Sequence, residues 1–164
     1  MNHLPSPVLQ LPTPNSSLKA DQVTILITDD DEGHAILIEE NLREAGLHNP
    51  VIKFPDGQEL LDFLQGWHPN KLWDPHGNYL LLLDIRMPKM DGVEVLRALK
   101  QDPVLRKIPV IMLTTTDDPR EVSRCHALGC SCYISKPVDY HLFSEAVRRL
   151  GLFISLLKIP APVD

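Results

Sequence analysis

An α/β architecture, a doubly wound sheet of five parallel strands with helices on both faces, is the expectation for this chain of 164 residues. Three observations carry it. Five short β-rich apolar runs alternate with segments of helical period, which reads as βαβ units rather than hairpins. Two of the runs, Tyr79–Leu83 and Val110–Leu113, are continuously apolar, as strands buried on both faces of a parallel sheet are. Glycine, proline and aspartate punctuate the segments where helix caps and stops belong.

The elements follow in order. Residues 1–21 carry Pro5, Pro7, Pro12 and Pro14, a density that prevents helix and central strand, so a Pro-rich tail is expected ahead of a domain over 22–158. Val23–Thr28 is the first strand. Ala35, Ile36, Ile38, Leu42 and Ala45 recur at helical spacing, with Asp31 as the cap and Gly46 as the stop. Val51–Phe54 is a short strand, and Leu60, Leu61 and Leu64 mark a helix beginning near Asp56. Gly66–Asn78 is a longer loop than α/β connections need; its Trp67 and Trp73 face a partner or, on the favoured reading, pack locally. Beyond strand Tyr79–Leu83, a helix spans Val93–Leu99, with Pro103 past its end. Strand Val110–Leu113 leads to a helix over Arg120–Leu128 that stops at Gly129. A fifth strand centres on Tyr133–Ile134, a last helix runs from Asp139 to Leu157, and residues 159–164 form a C-terminal tail.

Composition narrows the function. A formal net charge of −6 with scattered basic residues disfavours nucleic acid as a partner. No apolar run approaches the roughly 20 residues a membrane span needs, and no secretory signal opens the chain. Three cysteines, an odd number, suit a reducing cytoplasm. Cys125, His126, Cys130 and Cys132 lack paired zinc-knuckle spacing and read as core or surface residues.

The chemistry lies where the strands end. Val23–Thr28 runs into Asp29 and Asp30, Tyr79–Leu83 into Asp84, Val110–Leu113 into Thr114, and the fifth strand into Lys136. In an open parallel sheet, side chains at the carboxyl ends of strands converge on one crevice. Asp84, leaving the most apolar strand, is suited to act as a nucleophile toward phosphorus. Three clustered carboxylates need a cation, and an oxygen-only ligand set favours Mg²⁺. Lys136 and Thr114 suit the oxygens of a phosphoryl group. A cis peptide at Lys136–Pro137 would aim the lysine inward.

These residues stand in motifs. Thr28–Asp30 (TDD), Leu81–Gly92 (LLLDIRMPKMDG), Thr114 after a buried strand, and Tyr133–Pro137 (YISKP) together resemble the receiver domain of two-component response regulators, over about Val23–Leu157. The resemblance implies a flavodoxin-like (βα)5 receiver fold, with the strand order 2-1-3-4-5 of the family's chemotaxis regulator. It also implies a phosphorelay role: Asp84 accepts a phosphoryl group from a phosphohistidine on a histidine kinase or phosphotransfer protein. Mg²⁺ is then held by Asp30, the Asp84 carboxylate and the Arg86 backbone carbonyl, with Asp29 acting through water. Lys136 holds a phosphoryl oxygen, while Thr114 and Tyr133 form the switch. Arg86 and Thr116 flank the phosphate entrance. The long loop, the CYISKP segment and the FISLLKIP tail look similar to small stand-alone regulators that partner phytochrome-type histidine kinases.

Two rival readings fit less well. An aspartyl-nucleophile phosphohydrolase needs a second Asp two residues on, where this chain has Arg86; a binding-only pseudo-receiver would not need all five site positions. With the chain ending soon after the last helix, output through protein contacts is expected. Phe143, Val147, Leu150, Ile154 and Leu157 form a seam of coiled-coil spacing, with Leu142, Ala146 and Phe153 beside it. A homodimer through this helix and the LLKIP tail is the expectation.

Overall fold

Five strands alternate with five helices in this computed structural model, which describes residues 22–156 and 162–163. The strands are β1 (Val23–Thr28), β2 (Val51–Phe54), β3 (Asn78–Leu83), β4 (Val110–Thr114) and β5 (Cys132–Ser135). All pair in parallel, in the order β2-β1-β3-β4-β5. The helices are α1 (Glu32–Glu44), α2 (Gly57–Leu64), α3 (Gly92–Gln101), α4 (Pro119–Leu128) and α5 (Tyr140–Ile154). The expected 1–21 tail lies outside the described residues, as do Leu157 and the rest of the LLKIP segment.

Each helix begins on an aspartate. Asp31, Asp56, Asp91, Asp118 and Asp139 all accept a backbone N–H of the first turn, satisfying donors that the helix leaves unpaired. A 3-10 turn at Leu105–Lys107 has no counterpart in the sequence reading. Asp102 organises it by accepting from the N–H groups of Val104 and Leu105, which buries Leu105.

The alternation of side chains along each strand divides the core into two layers. Ile25, Ile27, Leu80, Leu82, Ile111 and Leu113 face α1 and α5, while Leu26, Leu81, Leu83, Val110 and Met112 face the layer of α2, α3 and α4. α5 lies close against α1: a Cβ on Gly151 would come within 2.8 Å of the Ala45 Cβ, which accounts for a glycine in mid-helix.

This packing assigns the faces of the last helix. Phe143, Val147, Leu150 and Ile154 are buried in the α1/α5 layer, so the seam is the face that covers the chain's own sheet. The helix also ends at Ile154, three residues short of Leu157, where the Ser155 hydroxyl donates to the Leu152 carbonyl. Trp73 stacks on Tyr79 and meets Phe63 edge-on, as local packing requires, whereas Trp67 is 73% exposed. Of the C-terminal tail, Val163 is described: its N–H donates to the Pro75 carbonyl in the 66–78 loop. No described helix is long and apolar enough to cross a membrane.

Candidate functional site

The carboxyl ends of β1, β3, β4 and β5 meet at one edge of the sheet, and strand-like pairing continues one residue past the ends of β1, β3 and β5. The Asp29 N–H donates to the Phe54 carbonyl, that of Asp84 to Thr28, and that of Lys136 to Thr114. The backbones carrying the site are thereby fixed by the sheet itself. The Lys136–Pro137 peptide is trans, so of the two isomers open to this bond the lysine is presented from the trans one, with its N–H paired to the Thr114 carbonyl.

Asp84 sits at the floor of the crevice, buried, and one of its oxygens, Oδ1, has no hydrogen-bond partner. The Thr114 hydroxyl is fully buried and equally unpartnered, as is that of Thr28. Such orphaned buried groups are costly in a fold with no use for them. Lys136 is buried as well: its ammonium is 2.6 Å from Asp29 Oδ2 and 3.6 Å from Asp84 Oδ2. Asp29 is fully engaged, because its other oxygen accepts the Asp31 N–H. Burial, outweighing the attraction of Lys136, still pushes the Asp29 carboxyl above its ordinary value. Asp30 is exposed, on the side of a cavity of about 310 Å³ lined also by Glu32, Lys53 and Pro55.

One oxygen each of Asp29, Asp30 and Asp84 lies within 4.8 Å of the others. Three hard anionic oxygens with a buried carboxylate oxygen left over fit a divalent cation such as Mg²⁺ or Mn²⁺.

The loop after β3 is shaped by a glycine. A Cβ on Gly92 would collide with the Asp84 carbonyl and come within 2.8 Å of the Ile85 Cα, so α3 begins pressed against the turn that presents Asp84. The Gly92 N–H closes that turn by donating to the Ile85 carbonyl. At the rim, Arg86 and Thr116 both bond one oxygen of Glu121, at 3.2 and 2.9 Å, so a single carboxylate ties the loops after β3 and β4 to α4. Tyr133 lies behind them, with its hydroxyl donating to the Thr116 carbonyl. Burial above all pushes that hydroxyl up to about 12, which keeps it a donor.

Sequence reasoning missed Glu121 and His34. The first reads only as an acid favoured in the first turn of a helix; the second is a lone histidine. In the fold His34 Nδ1 lies 3.5 Å from Lys136 Nζ. Asp31 caps α1 as expected. Cys125 and Cys130 are buried in the core, and burial foremost pushes the Cys125 thiol up to about 11, a weak nucleophile.

The sequence pattern of the response regulator receiver domain matches residues 25–148. The chain belongs to the response regulator receiver family. Response regulator Rcp1 of Synechocystis sp. is 37% identical over 140 residues, covering 84% of this chain and 92% of Rcp1. A receiver domain from Rhodospirillum rubrum superposes with a TM-score of 0.78 at 42% identity, over 86% of this chain and 99% of that one. The Mn²⁺-bound form of Rcp1 gives 0.75 at 30% identity, over 84% and 99%. The phosphorylated cyanobacterial phytochrome response regulator RcpA gives 0.74 at 29%, over 85% and 99%. This receiver domain is therefore a response regulator of two-component signalling, the class that exchanges phosphoryl groups with histidine kinases or phosphotransfer proteins.

Proposed function

We propose that Asp84 is the phosphoacceptor, and the juxtaposition that carries this reading is a buried carboxylate with a free oxygen beside a buried lysine. An Asp84 oxygen attacks the phosphorus of a phosphohistidine. The new O–P bond forms as the N–P bond breaks, and the imidazole nitrogen keeps the electron pair. Lys136 neutralises the oxygens that gather charge in transfer, and the Thr114 hydroxyl donates to one of them afterwards. Asp30, Asp84 and the Arg86 carbonyl would hold Mg²⁺ directly and Asp29 through water; bound there, the cation offsets the negative charge of the carboxylates and the phosphoryl group.

The phosphoryl group then adds charge that draws Thr114 toward it, and Tyr133 follows, shifting the loop after β4 and α4 between two arrangements. The activity is confined to the protein's own phosphorylation and dephosphorylation, and the signal leaves by contact with other proteins. A phytochrome-type histidine kinase is the proposed phosphodonor, supported by the likeness to RcpA. A homodimer through α5 is also proposed, moved from the buried seam to the outward Leu142, Phe153 and Leu156, which are all exposed.

Incubation with acetyl phosphate and Mg²⁺, followed by intact-protein mass measurement, tests the assignment. Wild type should gain one phosphoryl group and Asp84→Asn none; a gain retained in Asp84→Asn removes Asp84 from this role.

A further inference from the structure

His34 is placed where a merely structural residue has no need to be. It stands in the first turn of α1, and its N–H is held by the Asp31 cap at 3.1 Å. Its ring lies 6.1 Å from that of Phe143 on α5, so both ends of the residue are fixed. Its Nδ1 faces the Lys136 ammonium at 3.5 Å and, more distantly, an Asp31 carboxylate oxygen at 3.8 Å. An ammonium has three donors and no acceptor, so the nearer contact is a hydrogen bond in the tautomer that leaves Nδ1 unprotonated. The side chain is 43% exposed and contributes little to the core.

Lys136 has competing obligations. Its short bond to Asp29 and its contact with Asp84 engage two of the three carboxylates that surround the proposed cation position. A dication there repels the ammonium and draws on the same two carboxylates, so cation entry weakens both of those contacts. A buried ammonium that loses its acceptors pays the full desolvation penalty unless another is in reach. His34 Nδ1 is the neutral acceptor within reach. A cavity of about 320 Å³, walled by His34, Lys136, Thr115, Val138 and Tyr140, gives the ammonium room to swing outward without displacing packed atoms.

We propose that His34 is a positioning residue that receives Lys136 as it leaves Asp29, so that the affinity of the acidic site for Mg²⁺ is set in part by a side chain that never touches the metal. This rests on the acidic cluster being the Mg²⁺ site. His34 stabilises the cation-loaded arrangement more than the empty one, and its effect passes entirely through Lys136.

Calorimetric titration of the full chain with Mg²⁺, in mildly alkaline buffer and without phosphodonor, tests it. His34→Ala should bind Mg²⁺ about tenfold more weakly, the scale of one lost hydrogen bond to a charged group. His34→Asn, whose amide oxygen reaches much as Nδ1 does, should restore most of the affinity. In a Lys136→Met background, His34→Ala should have no effect on Mg²⁺ binding, the outcome a double-mutant cycle requires if the two residues act as one unit. Unaltered binding by His34→Ala, failure of the Asn variant to rescue, or an equal loss in the Lys136→Met background each overturns the proposal. Wild type that takes up no Mg²⁺ overturns both this and the cation site beneath it, whereas Mg²⁺ binding that His34→Ala leaves unchanged overturns this alone.

Discussion

Lys136 and Asp29 form an ion pair in which both side chains are almost wholly buried, an arrangement that costs desolvation and is poor value for stability alone. The raised Asp29 carboxyl gives that cost a sign. A group whose folded pKa exceeds its unfolded one binds protons more tightly when folded, so its contribution is fully present below the unfolded value and is lost as pH rises through the folded one. In the presence of EDTA, the melting temperature of wild type relative to that of Asp29→Asn should therefore rise as the buffer is made acidic, because only wild type gains the proton that the fold binds more tightly. Mg²⁺ should raise the melting temperature of wild type more than that of Asp29→Asn. Parallel melting curves at every pH would contradict this. Gly92 makes a steric prediction: a methyl group there meets backbone of the Asp84 turn, which has no soft side chain to yield. Gly92→Ala should cost about 1–3 kcal/mol in denaturant unfolding, as overpacking does, and should slow phosphorylation by displacing Asp84. A variant as stable and as reactive as wild type would show that the turn can retreat.

α5 carries apolar residues on two faces, and they have different tasks. Phe143, Val147, Leu150 and Ile154 cover the sheet beside α1, while Leu142 and Phe153, with Leu156 just past the helix end, stay exposed. Phe143→Ala should destabilise the fold by about 3–5 kcal/mol, the cost of a large buried aromatic. Phe153→Ala should leave the unfolding midpoint close to that of wild type. The reverse ranking in urea unfolding would restore the seam as an outward face. Sequence alone could not assign the faces, because apolar residues fall on both and only the position of α1 decides which one is covered. The other elements were legible for physical reasons: doubly buried strands must be continuously apolar, and each helix start needs an acceptor that aspartate supplies. The site was readable where it sits at strand ends, since a parallel sheet brings those ends together whatever the helices do. His34 and Glu121 were not, because each acquires its partner from a segment remote in sequence, Lys136 in one case and Arg86 in the other.

Across the described residues, the sheet and its two helical layers form the frame, and the candidate functional groups lie at the carboxyl ends of its strands. Within that frame Glu121 joins the loops after β3 and β4 to α4, and Tyr133 ties the second loop to β5, so the proposed switch would reach the α4 surface through bonds already in place. If output runs through a second copy, Phe153→Glu should shift sedimentation from dimer to monomer without lowering the melting temperature, since the ring is half exposed. Wild type that sediments as a monomer at working concentration would remove the dimer. The most direct test is chemical trapping of the modified residue. After incubation with a phosphodonor and Mg²⁺, borohydride reduction of an aspartyl phosphate leaves homoserine, which peptide mass mapping locates. Homoserine at position 84 and at no other aspartate is the predicted result; homoserine at Asp29 or Asp30, or none in protein that has demonstrably gained a phosphoryl group, would contradict the account.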